Sequence, residues 1–355
     1  MRLVPVDKLK TNAEIAIDVV NSQGILLVAE GQELTPRIIQ ILNKVDLEYI
    51  YINDDLTTPA EKRNLVTSDS TSLMNIINQL KNITRRMSMG MANAGDILKL
   101  NNISFDIVET YYQLGDDFRI VYEPVKMVLN SALEQSLYVA IMGVGLGMKM
   151  GLTRPQLSEL CMTGLLKDFA LISPKATVSA KAAISQEELD ETHMVIAYRL
   201  LRQYSQVTPR ILDGIVHHHE QYDGSGYPNG QQGEEISVYS RVLAVVNYFY
   251  ELKSDSAIMV TEQSLLEIVF ADALKQFDPK IVDVFIKNVE LFTIDTLVRL
   301  TNGDAAIVVR NNANAPFLPT VRILRSEIFE VGKEIDLQDS PILNLKISSV
   351  IYYVD

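Results

Sequence analysis

The chain has 355 residues, of which 47% are hydrophobic and 22% are charged, and its formal net charge is -13. This length predicts two or three globular domains with a sizeable core in the largest. The negative charge argues against non-specific binding to DNA, RNA or an anionic membrane surface. Because Cys161 is the single cysteine, no intrachain disulfide can form. Residues 1–10 lack the apolar core of a signal peptide. We therefore expect a cytoplasmic protein, and its most apolar stretch, 138–148, is too short to span a bilayer.

Residues 1–53 predict a small α/β module. The apolar runs 15–20 and 25–28 indicate two strands around a turn. Thr35 is a good helix N-cap with Pro36 at the first helical position, and the run from Tyr49 predicts a closing strand. We expect this module to be a structural or dimerising cap that binds no ligand.

Residues 54–114 predict a linker followed by a helical segment. The polar run 54–69 is the linker, and the apolar spacing from 70 to about 100 is helical, with a further amphipathic piece at 105–114. Three methionines at alternate positions are compatible with an adaptable binding surface, but we expect core filling or a helix-helix contact instead. They are Met87, Met89 and Met91.

The fold class predicted for the whole chain is multidomain and mainly α. Residues 115–292 predict a helical domain, with helices expected at 133–151, 157–166, 187–203, 210–221, 240–252, 262–270 and 279–289. Residues 293–355 predict a small β-barrel or sheet, because Asn302-Gly303 between two apolar runs is a strong hairpin signal. We expect this last module to serve packing or interaction, because it carries no cluster of ionisable groups suited to chemistry.

Three of the four histidines stand together at 217–219, within a block that supplies metal ligands and a stiff glycine-rich turn. The block continues with Glu220, Gln221, Tyr222, Asp223, Gly224, Ser225, Gly226, Tyr227 and Pro228. It resembles the signature of the HD-GYP family, metal-dependent phosphohydrolases found in bacteria whose known members cleave cyclic di-GMP. The match carries over His218, His219, Glu220 and the loop formed by Asp223, Gly224, Gly226, Tyr227 and Pro228. The resemblance implies a helical bundle, a metal centre and, through this loop, contact with diguanylate cyclase domains.

The resemblance also assigns metal ligands elsewhere in the chain. The aspartate of the family's His-Asp motif matches Asp168, and a further histidine matches His193. Three family ligands are replaced, by Gln135, Lys167 and Asn247. By the family's architecture, Asp168, His193, His218 and His219 surround one metal, and the replaced ligands belong to the other. Three imidazoles and a carboxylate suit Fe, Mn, Zn or Ni. Alternatively, Lys167 replaces the second metal's charge by pairing with Asp168 or Asn247, and then no metal need bind.

The resemblance also implies that the cationic side chains that bind phosphate in the family are replaced in this chain. Leu171, Ser256 and Met259 stand at their positions. Each lost charge-assisted bond is worth roughly 1.5–3 kcal/mol, so loss of three would weaken a dianionic substrate by orders of magnitude. A Ser-His-Asp or Cys-His nucleophile is not arguable, and we expect Cys161 to be a core residue.

Three functions remain open after these observations. The first is a degenerate signalling relative without robust hydrolysis, acting through protein interaction. The second is a weak single-metal phosphodiesterase that uses the Asp168 and histidine site on cyclic di-GMP or a related phosphoester. The third is a cyclic-dinucleotide receptor without catalysis. The sequence also leaves open a homodimer.

Overall fold

The computed structural model describes residues 1–20, 25–45, 47, 49–58, 70–89, 91–115, 118–121, 132–172, 186–254, 275–312 and 315–354. The helices of these residues are α1 (Pro36–Leu42), α2 (Ser70–Ser88), α3 (Ala94–Leu114), α4 (Ala132–Lys149), α5 (Arg154–Leu166), α6 (Phe169–Ile172), α7 (Gln186–Leu201), α8 (Pro209–Val216), α9 (Val238–Ser254) and α10 (Pro279–Asn288). The strands are β1 (Arg2–Pro5), β2 (Glu14–Ile15), β3 (Val19–Val20), β4 (Leu26–Val28), β5 (Tyr49–Asn53), β6 (Ile120–Val121), β7 (Val289–Glu290), β8 (Leu297–Leu300), β9 (Ala305–Arg310), β10 (Thr320–Arg325), β11 (Glu334–Asp336) and β12 (Ile347–Val350). The predicted mainly α fold with small flanking sheets is confirmed.

The N-terminal part is an α/β unit, as its turn and cap signals predict. Strands β1, β5 and β2 form an antiparallel sheet in that order, and β3 pairs with β4. Thr35 caps α1, because its Oγ1 accepts a hydrogen bond from the Ile38 amide at 3.3 Å. Leu42 on α1 is buried in an apolar cluster of its own with Ile15 and Ile52.

The helical segment after residue 70 differs from the predicted continuous run. It breaks between α2 and α3, because Asn93 begins a new helix. The Asn93 side chain accepts hydrogen bonds from the backbone of Gly95 and Asp96, while the Asp96 carboxylate accepts the Asn93 amide at 3.0 Å. This reciprocal capping box fixes a helix start that the apolar spacing alone does not show.

The core is built around α4, in which residues 136–147 are all buried. Helix α5 packs closely against it because Gly164 has no side chain: a Cβ there would lie 2.9 Å from the Ala140 Cα. Helix α9 packs on α4 as well. Cys161 on α5 is fully buried, as predicted.

The C-terminal residues form a five-stranded antiparallel sheet in the order β11-β10-β9-β8-β12. The predicted hairpin joins β8 to β9, and Gly303 at its turn adopts φ 90°, a conformation that favours glycine. One apolar cluster runs from the helices into this sheet. The short parallel pair β6-β7 adds a backbone link at Ile120 and Val289.

Contacts also join the two ends of the chain. The Arg2 guanidinium donates to the Asp54 carboxylate at 2.5 Å and to the Tyr352 carbonyl at 2.6 Å. The Thr58 hydroxyl donates to Asp295 at 2.7 Å. The proposed division into modules at 1–53, 54–114, 115–292 and 293–355 stays a prediction.

Several sequence predictions lie outside the described residues. They are Ser256, Met259, the helix at 262–270, most of the linker 54–69 and the turn at 21–24. Within the part of the chain that the structure describes, no helix combines the length and hydropathy needed to cross a membrane.

Candidate metal centre

The histidine cluster lies in the turn after α8, not within a helix that continues to residue 221. Thr208 begins α8 by accepting the Ile211 amide, and Pro209 occupies the first turn. His217 is the C-cap, with φ -107° and its amide donating to the Asp213 carbonyl at 3.0 Å. The predicted helix is therefore too long, because the backbone leaves the helical conformation at the first histidine. The turn directs His218 into the core and leaves His219 half-buried beside it.

Three imidazoles converge at this point: His193 from α7, together with His218 and His219. Their candidate ligand atoms all lie within 4.8 Å of one another. The His193 Nε2 and the His218 Nε2 are 3.3 Å apart. The His218 Nδ1 lies 2.7 Å from the Ile215 carbonyl, so it carries the proton and leaves the Nε2 lone pair for a ligand.

Asp168 completes the set predicted from the sequence. Its Oδ1 is 3.6 Å from the His193 Nε2 and 3.5 Å from the His218 Nε2. Ligands at about 2.1 Å from a metal ion are about 3.0–3.4 Å apart in octahedral or tetrahedral geometry. The observed separations therefore fit donors arranged around one ion after small adjustments.

His219 supplies a second observation that fits a metal. Its Nε2 is buried and has no hydrogen-bond partner within the described residues. Burial, followed by the neighbouring His218 and His193 side chains, lowers the pKa of His219 to about 2. The imidazole is therefore neutral at physiological pH and presents a lone pair. A buried nitrogen without a partner costs free energy unless something ligates it.

Lys167 stands beside this group as a buried cation. It is the C-cap of α5 and is 2% exposed. Its Nζ donates to the Asp168 Oδ2, so of the two partners that the sequence left open the structure shows the aspartate. Burial alone would raise the pKa of Asp168, but the Lys167 charge, followed by the neighbouring His218 side chain, holds that pKa well below its usual range. Asp168 is therefore a carboxylate with one oxygen on an ammonium and the other facing the histidines.

Gln135 and Asn247, which the resemblance places at two of the family's ligand positions, contact each other across α4 and α9. The Gln135 Nε2 donates to the Asn247 Oδ1 at 3.1 Å, and both side chains donate to the Glu251 carboxylate, at 3.3 and 2.8 Å. These hydrogen bonds engage the side-chain amides of both residues. Glu251 lies one helical turn after Asn247, and that spacing is the signal by which the sequence could have shown it.

The glycine-rich loop is packed on the histidine turn. A Cβ at Gly226 would lie 2.5 Å from the His219 carbonyl oxygen and closer still to the Gln221 amide nitrogen, so only glycine fits. The Tyr227 ring stacks on the His219 ring with centroids 4.8 Å apart. The loop therefore shields one face of a candidate ligand.

Other loop residues stabilise its backbone. Asp223 accepts the Ser225 amide at 2.9 Å, and Gly224 adopts φ 83°. The peptide before Pro228 is cis. The buried Glu220 carboxylate accepts the backbone amides of Asn229 at 2.7 Å and Gln231 at 3.0 Å. Glu220 was part of the sequence motif but had no assigned role. These contacts show that its carboxylate stabilises the backbone that follows the loop.

Leu171 lies in α6, half-buried and without charge, at the position where the resemblance places a phosphate-binding cation. The structure thus brings Asp168, Lys167, His193, His218 and His219 into one group. It places Gln135 and Asn247 in a separate hydrogen-bonded pair.

A family described as "HD domain" matches residues 130–281 of the chain. This range contains every candidate site residue named above. It covers the helices α4 to α9 and the start of α10.

The chain is also similar to curated bacterial phosphodiesterases. It is 27% identical over 233 residues to the cyclic di-GMP phosphodiesterase PdeB of Borreliella burgdorferi, covering 64% of this chain and 61% of that protein. It is 28% identical over 195 residues to the cyclic di-GMP phosphodiesterase PA4108 of Pseudomonas aeruginosa, covering 54% and 47%. A 3'3'-cGAMP-specific phosphodiesterase 2 of Vibrio cholerae is 30% identical over 129 residues, or 36% and 24%. The chain therefore spans less than two thirds of the length of these relatives.

Among solved structures, Bd1817, an HDG"Y"P protein from Bdellovibrio bacteriovorus, aligns over 80% of this chain and 97% of its own. The TM-score is 0.49 and the sequence identity is 14%.

Proposed function

The chain belongs to the HD-GYP family of HD-domain proteins, and from this premise we propose that it is a degenerate member that signals without robust hydrolysis of cyclic dinucleotides. It acts in the cytoplasm through protein contact. The observation that carries the proposal is the buried Lys167 ammonium on Asp168.

Two-metal hydrolysis needs a pair of divalent ions a few ångströms apart, bridged by ligands such as an aspartate. Here one oxygen of Asp168 is engaged by a fixed positive charge. Repulsion between unit positive charges about 4 Å apart is roughly 4 kcal/mol at an effective dielectric constant of 20, and it is greater for a divalent ion. Gln135 and Asn247 supply no charge to offset it. These features support loss of the second metal.

The first metal position keeps its donors. His193, His218, His219 and Asp168 would hold one divalent transition metal, Fe, Mn, Zn or Ni. Such an ion would act as a Lewis acid toward water or a phosphate oxygen. The chain's own residues orient it: the Ile215 carbonyl fixes the His218 ring, and Tyr227 covers His219. In this proposal, an ion bound to His219 would stabilise the loop through the Tyr227 ring that stacks on that histidine.

The loop offers a rigid surface for a partner. Tyr227 stays 37% exposed although its ring is stacked, and Glu220 fixes the residues that follow. Rigid aromatic side chains favour binding because little conformational entropy is lost. The family implies diguanylate cyclase domains as partners of this loop.

The test is a hydrolysis assay on the purified full chain with cyclic di-GMP and 3'3'-cGAMP, supplemented with Fe²⁺ or Mn²⁺ without oxygen. An active HD-GYP phosphodiesterase is the positive control. We expect no linear dinucleotide product, even when the protein and the cyclic dinucleotide are present in equal amounts. Multiple turnovers, abolished in His218→Ala, would overturn the proposal.

A weak single-metal phosphodiesterase is the alternative, and it would use the same donors, including the His219 Nε2, which has no hydrogen-bond partner within the described residues. It predicts slow product formation that depends on added metal and disappears in His218→Ala. Leu171→Lys would raise that rate by restoring a phosphate contact. Equal rates of product formation in His218→Ala and the natural chain would exclude the histidine cluster as the catalytic site.

A further inference from the structure

Helix α3 carries an exposed face that no proposed activity uses. Leu98 and Phe105 on this face are each 56% exposed, and Lys99, Asn102 and Asp106 are also exposed. The opposite face, which includes Ile97, Leu100 and Ile107, is buried in the core. Two large apolar side chains seven residues apart on one exposed helix face are typical of a helix-helix contact.

The exposed face has two different sides. At 100° per residue, Leu98 and Phe105 lie about 40–60° to one side of Asn102, whereas Lys99 and Asp106 lie about 40–60° to the other. An apolar strip and a charged strip therefore run side by side along the helix, with Asn102 between them.

This arrangement is complementary to itself in one orientation. When two such helices pack face to face and antiparallel about a two-fold axis at Asn102, each strip faces its own counterpart. Leu98 then meets Phe105 of the partner subunit, and Lys99 meets Asp106 of the partner subunit, each pair offset by about 1.5 Å along the axis. A parallel pairing would instead place the apolar strip on the charged strip.

We propose that α3 is the interface of an antiparallel homodimer centred on Asn102. Opposite charges placed face to face and a matched apolar pair make the contact self-complementary. Asn102 at the axis can pair with its own copy through amide hydrogen bonds, and a single polar residue at a helix interface fixes the register.

Charge-swap variants of the full chain test the pairing by sedimentation equilibrium. Lys99→Asp and Asp106→Lys each place like charges face to face, so each should raise the dimer dissociation constant at least tenfold. The double variant Lys99→Asp/Asp106→Lys exchanges the signs and should restore it to within about threefold of the natural chain. Leu343→Glu, at a residue 89% exposed in the C-terminal module, is the control and should change nothing.

Cysteine cross-linking tests the orientation. Asn102→Cys should form a disulfide-linked dimer under mild oxidation, because the two copies meet at the axis. Gln113→Cys lies on the same exposed face but its copies are about 33 Å apart in the antiparallel dimer, so it should not cross-link. Cys161 is fully buried, and burial raises its pKa to about 12, so it does not interfere.

Some results would overturn the proposal. A natural chain that stays monomeric at high micromolar concentration would show that another segment or another protein covers the face. Cross-linking of Gln113→Cys as readily as Asn102→Cys would show a parallel pairing. Failure of the double charge swap to restore a dimer that both single swaps weaken would show that Lys99 and Asp106 do not meet.

Discussion

The Lys167 ammonium donates a hydrogen bond to the Asp168 carboxylate inside the helical core, and both residues are buried. A cation of the protein itself therefore occupies one oxygen of the carboxylate, while the other oxygen lies 3.6 Å from the His193 Nε2 and 3.5 Å from the His218 Nε2. In the function proposed above, this pair is the feature that disfavours a second metal ion.

Removing the Lys167 charge should destabilise the protein strongly. In Lys167→Met a buried carboxylate loses its partner, and breaking a buried pair in this way costs about 3–5 kcal/mol. Lys280→Met is the matched control, because its ion pair with Glu234 is exposed and screened by solvent, so its loss should change stability little. Urea unfolding in the presence of a chelator measures both, and equal losses would contradict the role of Lys167.

Restoring ligands should restore the second metal. The triple variant Gln135→His/Lys167→His/Asn247→Asp supplies two imidazoles and a carboxylate at the positions that the resemblance assigns to metal ligands, and it removes the Lys167 charge. We expect one more metal ion per chain than in the natural protein. Gln135→His/Lys167→Met/Asn247→Asp is the control that removes the charge without adding the imidazole, and it should bind the extra ion more weakly.

The glycine-rich loop should be sensitive to a single methyl group. Gly226→Ala places a Cβ against the backbone of His219 and Gln221, so the loop must move and Tyr227 must leave the His219 ring. Because residues that orient ligands typically contribute tenfold or more to metal affinity, we expect at least about a tenfold loss. Ser225→Ala, one position earlier and exposed, should bind metal normally, which a competition titration with a chelator can establish.

Asp96 should contribute to stability in a pH-dependent manner. Burial raises its pKa, but hydrogen bonds from the Arg86 side chain and the Asn93 amide outweigh burial, so the pKa in the folded protein is lowered. A lowered folded pKa gives stability that is present above about pH 4, the unfolded value, and is lost as the pH falls through the folded value. The natural chain should therefore exceed Asp96→Asn in unfolding free energy at pH 7 by more than at pH 3. A difference independent of pH would contradict this contribution.

The sequence predicted the members of the histidine site because the family signature is contiguous and its spacing is specific. It placed Asp168, His193 and His218 together across 50 residues, and the structure brings them within 3.6 Å of one another. The sequence also predicted the helix N-cap at Thr35 and the hairpin turn at Gly303, since both features depend on residues next to each other in the chain.

Other features depend on contacts that no local pattern records. The end of α8 at Val216 follows from the backbone turn at His217, where the apolar spacing would continue the helix. The break between α2 and α3 depends on the paired side chains of Asn93 and Asp96. Both Asp168 and Asn247 carry an oxygen that can accept a hydrogen bond from Lys167. Tertiary packing therefore decides that Asp168 is the partner.

Metal content per chain tests the central claim most directly. Elemental analysis would be made on protein purified without oxygen or chelator, alongside His218→Ala with its fold checked by circular dichroism. The account predicts about one transition metal ion per natural chain and none in His218→Ala. Two ions per natural chain would contradict it, because Lys167 could not then have replaced the second metal.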